Sequence, residues 1–260
     1  METLGQLSRQ LILPDNYFVA DVETCGFSFD RDYIVEVGWA VIRDRTIRDN
    51  NGLLLDWTRH PGVDQDYLRS QLDKLQERFA GEGRTWYYPY ERLRDEGVPP
   101  IEALHTYITL MYEYIAANEA IVGHGLYRFD RRMIDAHAQR FLQGYQLPWR
   151  QNTIIDTGLI EKAAQLVRNP WPAETLDEWM RRLNNASAAG VKWNLAMCAQ
   201  KYRLAERYNL DMRHAHIGGF DCRLTHHLLE TFRELMEILC GQRTELSYAG
   251  NCPGWTGRQG

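Results

Sequence analysis

Tyr17-Phe-Val-Ala-Asp-Val-Glu-Thr24, YFVADVET, is the stretch on which the reading of this sequence turns. Tyr17 to Val22 reads as a short apolar strand that runs into carboxylates. Side chains two apart on a strand share a face, so Asp21 and Glu23 project together. Two like charges that close are costly unless they are protonated or neutralised by a cation. Taken alone, the pair is better explained as a strand end with two solvated acids.

Outward from this stretch, YIVEVGWAVI (Tyr33 to Ile42) is β-branched and aromatic, with Ile34, Glu36, Gly38 and Ala40 on one side. Asp44-Arg45 reads as a turn, and Thr46 to Trp57 reads as a third strand returning alongside. Three strands in succession predict an antiparallel meander. The period then changes. Leu68, Leu72, Leu75 and Phe79 fall on one face of a helix over 64–80. Residues 81–100 read as a loop closed by Gly97-Val98-Pro99-Pro100. Helical spacing resumes over 101–117, Ala120 to His124 is a short buried strand, and 130–142 is a helix with Met133, Ile134, His137 and Phe141 inward. Residues 152–157 read as a short strand or a helix start. Two more helices are expected within 158–200, around breaks at Asn169 to Pro172 and Asn184 to Gly190. A last helix covers 220–239 through Phe220, Leu224, Leu228, Phe232 and Leu235. The expectation is one α/β domain over 1–240, with 241–260 as a flexible C-terminal tail.

Composition narrows the function classes. The 260 residues are 44% hydrophobic and 25% charged, which excludes collagen-like and largely disordered chains. Thirty basic against thirty-five acidic residues leave −5, so a generic cationic surface for duplex DNA is not expected. Five cysteines without a C-x-x-C pair speak against a disulfide framework or a cysteine zinc site, and for a reducing compartment. No apolar run approaches the ~18 residues of a membrane span, and the first residues lack a signal-peptide core. A cytoplasmic location is the expectation.

Two further acids stand at places where a loop enters a helix. Asp130 closes Gly123-His-Gly-Leu-Tyr-Arg-Phe-Asp130, and Asp221 closes His216-Ile-Gly-Gly-Phe-Asp221. Each alone is explained as a helix cap or a dipole complement. His216 alone is explained as a loop residue, with His214, His226 and His227 close by. Their order is more specific: strand-end D-x-E, then F-D between strand and helix, then H-x4-D at the head of the last helix. In this compound pattern, from about 17 to 238, the sequence resembles the DEDDh exonucleases of the ribonuclease H-like superfamily, relatives of the proofreading subunit, ribonuclease T and oligoribonuclease. IVEVGWAVI resembles the family's second strand, and GVPPIEALHTYITLMYEYIAANEAIVGHGLYRFD its central helix-strand-helix passage. Leu195 to Tyr202 resembles the helix ahead of its third motif. Insertions near 58–90 and 160–190 match weakly.

The resemblance implies a mixed sheet, antiparallel in its first three strands and then parallel, flanked by helices. It implies that Asp21, Glu23, Asp130 and Asp221 hold two divalent metals and that His216 is the general base. Thr24, Cys25 and Phe27 would bind substrate, with the Cys25 backbone N–H free for a terminal 3′-hydroxyl and Phe27 as a wedge against terminal bases. A core position for Phe27 is the other reading. Hydrolysis of a phosphodiester needs a nucleophile at neutral pH and a stabiliser for the leaving oxygen, which a metal pair supplies. Oxygen ligands without cysteine favour Mg²⁺ or Mn²⁺, and a histidine of ordinary pKa near ~6.5 suits the base. Gly125 stands where the family usually has Asn, and Cys25 where Thr or Ser is common. The aromatic and arginine residues of the first insertion (Trp57, Trp86, Tyr87, Tyr88 and Tyr90; Arg59, Arg69, Arg78, Arg84, Arg92 and Arg94) suit single-stranded nucleic acid, though packing on the core accounts for them better. The expected activity is release of nucleoside 5′-monophosphates from single-stranded 3′ ends, DNA before RNA. The alternatives are an RNA-trimming or oligoribonuclease-like enzyme and a non-catalytic nucleic-acid-binding or polymerase-partner module. A homodimer and a replication partner both stay open.

Overall fold

The structure, a computed structural model, describes residues 13–149, 154–171, 173–187 and 189–239. The expected tail at 241–260 and the first residues read for a signal peptide lie outside them. Strands β1 (Tyr17–Thr24), β2 (Ile34–Arg43), β3 (Thr46–Leu54), β4 (Ala120–Gly123) and β5 (Ile154–Asp156) form one sheet in the order β3-β2-β1-β4-β5. β1 pairs antiparallel with β2, and β2 with β3; β1–β4 and β4–β5 are parallel. The β2–β3 connection is the Asp44-Arg45 turn, both residues at positive φ (49° and 62°), as a tight hairpin of this hand requires. β3 is shorter than expected. After Leu54 the chain leaves the sheet so that Trp57 can sink into the core, its indole N–H donating to the Ile34 carbonyl at 2.5 Å.

Both faces of the sheet are covered, which is why β1 is apolar on both sides. Phe18, Ala20 and Val22 face one core with α3 (Pro100–Ala116) and α4 (Arg131–Phe141). Tyr17 and Val19 face the other, with α5 (Thr157–Leu166), α6 (Leu176–Asn185), α7 (Leu195–Lys201), α8 (Leu204–Arg207) and α9 (Gly218–Leu239). In α3 the spacing of Leu104, Ile108, Met111 and Ile115 buries one stripe, each such side chain contributing about 1.5–3 kcal/mol.

The first insertion is a packed subdomain. It contains α1 (Gln65–Gly81), capped by the Asp64 carboxylate, and a short helix α2 (Tyr90–Glu96) inside the stretch expected to be loop. α2 buries only Leu93, so it leaves no periodic trace in the sequence. Trp57, Trp86 and Tyr88 are buried, which makes the insertion's aromatics core for the most part. Between 157 and 201 there are three helices: two around the first break and, after the second, α7 of about two turns, capped by Asn194 and lying where the resemblance implied a helix. Cys25, Cys198 and Cys222 are buried free thiols. No helix among the described residues is long and apolar enough to cross a membrane.

Candidate active site

Asp21 and Glu23 lie on the face of β1 that α9 covers. Asp21 pairs with Gly38 and Glu23 with Glu36 across the β1–β2 ladder. The absence of a side chain at Gly38 lets α9 begin directly on the strand. A Cβ there would stand 2.2 Å from the Gly218 carbonyl carbon. Asn50 on β3 fixes the same end, donating to Trp39 O at 2.9 Å and to Gly219 O at 2.7 Å. Asp221 thus enters the first turn of α9, buried, over the β1 acids.

Asp130 arrives from the other side of β1. It ends a wide helical turn over Leu126–Asp130 that leads into α4. The turn is held by Asp156, whose carboxylate accepts from Gly125 N at 3.0 Å and Tyr127 N at 2.9 Å while capping α5. Gly125 has φ +93°, the left-handed region, and a Cβ there would meet open space. The Asn that the resemblance leads one to expect here is thus absent from a position with room for a side chain, and the backbone turn is intact.

These carboxyls resist ionisation. Burial pushes Asp21, Glu23 and Asp130 well above the ordinary range. Mutual repulsion adds to it, from Asp130 on Asp21 and from Asp221 on Glu23. Asp221 is raised to about 7 by burial, although the His216 N–H, donating to its Oδ2 at 3.2 Å, pulls the other way. Asp21 Oδ2, Asp130 Oδ2 and Asp221 Oδ1 are buried without a hydrogen-bond partner. Orphan acceptors of this kind are rare in native interiors. Here three are carboxylate oxygens in one electrostatically linked group, the donor set that hard divalent cations take. Glu23, His216 and Asp221 also offer ligand atoms that all lie within 4.8 Å of one another. The residues present fit a bound cation.

His216 sits at φ +69°. Its Nδ1 is 3.8 Å from Glu23 Oε1, and its ring meets Phe79 edge-on at 5.5 Å. Burial first, and then Arg84 and Arg78, push its pKa from the ordinary value down to about 4. It is therefore a neutral acceptor throughout the neutral range. The expected group near ~6.5 is corrected in that respect.

Three residues join this centre that the sequence reading did not place in it. Glu36 is buried and accepts from the Tyr88 hydroxyl and from Gly218 N at 2.6 Å. The same Tyr88 hydroxyl, with one proton to share between the two acceptors, lies 2.7 Å from the His216 carbonyl. Arg84 lies against His216 Nε2. An acid inside the apolar run of β2 is the one hint that pointed to Glu36. For Asp156, the hint is an Asp-Thr pair ahead of a helix, a cap signature.

Among the expected substrate contacts, Phe27 is 73% exposed and touches Phe129, the neighbour of Asp130, at 5.7 Å between ring centroids. The core reading of Phe27 is thereby excluded. Thr24 is half-buried and its hydroxyl donates to Gly26 O at 2.7 Å. Cys25 is the correction. Its N–H donates to Tyr33 O at 3.0 Å and its thiol is buried, so neither is free for a 3′-hydroxyl. The pairing arises because the chain doubles back between β1 and β2.

The fold is an α/β mixed sheet, antiparallel in its first three strands and then parallel, with Asp21 and Glu23 on its central strand. The sequence matches no protein-family model and no curated protein. Among solved structures it is similar to the zinc-ion-bound form of an E. coli exonuclease I–ssDNA complex (14% identity, TM-score 0.53, covering 88% of this chain and 42% of that one). It is similar to E. coli exonuclease I with a dT13 oligonucleotide (14%, 0.51, 88% and 42%) and to a product-bound exonuclease I (12%, 0.53, 88% and 46%). The chain thus spans less than half the length of these structures, and at such identities the likeness is one of fold.

Proposed function

We propose that this chain is a divalent-cation-dependent 3′→5′ exonuclease that hydrolyses single-stranded nucleic acid to nucleoside 5′-monophosphates. The observation that carries the reading is the convergence of Asp21, Glu23, Asp130 and Asp221, with three buried oxygens left without partners and His216 alongside. The four carboxylates would hold two Mg²⁺ or Mn²⁺ ions, which when bound stabilise charge at the attacking and leaving oxygens of a phosphodiester. The neutral His216 imidazole takes the proton of the attacking water as its oxygen bonds to phosphorus. The bond from phosphorus to the 3′-oxygen of the preceding nucleotide breaks, that oxygen takes a proton from solvent water to become the new 3′-hydroxyl, and His216 returns its own proton to solvent. Glu36 and Tyr88 hold the His216 loop in place, and Asp156 holds the Asp130 turn. The exposed Phe27 ring offers the terminal base a face to stack on, with Thr24 beside it. Single-stranded DNA occupies exonuclease I structures of the same fold, which supports DNA as the substrate.

The test is digestion of 5′-labelled DNA and RNA single strands, linear and circular, with Mg²⁺, Mn²⁺ or EDTA. Linear strands should shorten stepwise from the 3′ end, DNA faster, with circles intact and nothing cut in EDTA. Cutting of circles, or full activity of metal-free protein in chelator, refutes the reading. RNA shortened faster than DNA assigns the chain to RNA trimming.

A further inference from the structure

We propose that Arg84, carried by the insertion between β3 and α3, is a substrate-binding residue of this centre. Its guanidinium takes a non-bridging oxygen of the scissile phosphodiester, and its contact with His216 is its resting place before substrate arrives. The inference rests on the exonuclease reading and adds to it a residue outside the four acids and the histidine.

Several observations single out Arg84 among the insertion's cations. Arg59, Arg69, Arg78, Arg92 and Arg94 pair with Asp56, Glu91, Glu82, Glu96 and Asp95 within or beside the insertion. Arg84 instead reaches His216 Nε2. Its ion-pair partner, Glu82 at 2.9 Å, is an exposed residue two positions away, and the Arg84 side chain is itself 41% exposed. Such a pair contributes little and yields readily to a better anion. A phosphodiester is that anion: its two non-bridging oxygens match the planar guanidinium fork, and the bond is charge-assisted.

The placement is built into the insertion. The buried Phe79 ring seats both groups, with the Arg84 guanidinium carbon 4.4 Å from its centroid and the His216 ring at 5.5 Å. Arg84 N donates to Phe79 O at 2.8 Å. Beyond it, Tyr87 OH donates to Arg213 O and Tyr88 OH lies 2.7 Å from His216 O, so the segment is tied to the loop that carries the histidine. A cation held beside the base can meet the phosphate that the base's water attacks. The cluster of acids has no other guanidinium in direct contact with its histidine among the described residues.

The experiment measures binding, with Ca²⁺ in place of Mg²⁺, by fluorescence anisotropy. The probes are two single strands that differ only in the 3′-terminal linkage, a phosphodiester in one and an uncharged methylphosphonate in the other. Wild type, Arg84→Ala, Arg84→Lys and the surface control Arg94→Ala are compared, with thermal unfolding of each. Arg84→Ala should weaken the phosphodiester strand about tenfold, the worth of one charge-assisted contact, and change the methylphosphonate strand by less than about twofold. Arg84→Lys should recover part of the loss on the phosphodiester strand alone, and Arg94→Ala should change neither. Equal losses on both strands, or no loss on either, overturn the assignment. If wild type shortens strands and this pattern fails, Arg84 alone is refuted. If wild type neither binds nor shortens them, the exonuclease reading falls and this inference with it.

Discussion

Replacing Asp221 by asparagine should stabilise the metal-free protein, and the size of the gain follows from the burial of its carboxyl. A free aspartate titrates at 3.8, and Asp221 does so at about 7 in the fold. Keeping it ionised at pH 8 therefore costs at most about 4 kcal/mol, at 1.36 kcal/mol per tenfold. Asparagine is neutral, has nearly the same shape and keeps an acceptor for the His216 N–H. With part of the strain relaxed in wild type, a gain of about 2–4 kcal/mol is expected, or about 5–12 °C in Tm for a domain of this size. The sign is fixed by proton linkage. The folded state binds Asp221's proton more tightly than the unfolded chain, so metal-free stability falls as pH rises from about 4 to about 7. The asparagine variant's advantage is then full at pH 8 and gone near pH 4. Calorimetry in EDTA at pH 8, 6 and 4 reads it directly. Added Mg²⁺ should reverse the order, since wild type gains by mass action and the variant has lost a ligand. A variant that melts at or below wild type at pH 8 in EDTA, or a gain independent of pH, would refute the argument.

His216→Asn should keep the fold and single-strand binding, because asparagine tolerates the left-handed backbone at this position. It should lower the turnover rate by about 10²–10⁴. With burial and the Arg84 and Arg78 guanidinia holding the metal-free imidazole at about 4, a His216 ring that titrates near pH 6.5 by NMR of the metal-free protein would contradict this packing. Phe27→Ala should weaken single-strand binding by about 1–3 kcal/mol, read by anisotropy, and change stability by less than about 0.5 kcal/mol. A large loss of Tm would show that the ring supports the fold. Gly38→Ala should destabilise by about 1–3 kcal/mol, since its Cβ drives into the Gly218 backbone. It should also reduce the Mg²⁺-induced gain in Tm by displacing Asp221, and an unchanged melting curve would count against the packing described.

Local pattern carried most of the fold. The alternation around Asp21 and Glu23, the helical rows of α1, α3, α4 and α9, and the Asp44-Arg45 turn each depend on the two faces of one element or on a dihedral preference. They are written in neighbouring residues. The five candidates Asp21, Glu23, Asp130, Asp221 and His216 stood out only through their order along the chain and the resemblance it carried, since each alone also reads as a strand end, a helix cap or a loop residue. α2 was not legible, because a helix of seven residues with one buried leucine has no period to read.

What the sequence by itself determined is which residues share a face and which acids open which helices. Only the tertiary structure decided what those faces meet. Glu36 stands across from Glu23 through the β1–β2 register, Tyr88 reaches Glu36 from an insertion, and Arg84 lies against a histidine 132 positions away. The Cys25 N–H is spent on Tyr33, and Phe27 is left in solvent, because of how one hairpin closes. The ionisation of the centre is decided in the same way: a carboxyl's pKa depends on the water it has lost and the charges packed around it, and both come from segments far apart in the chain.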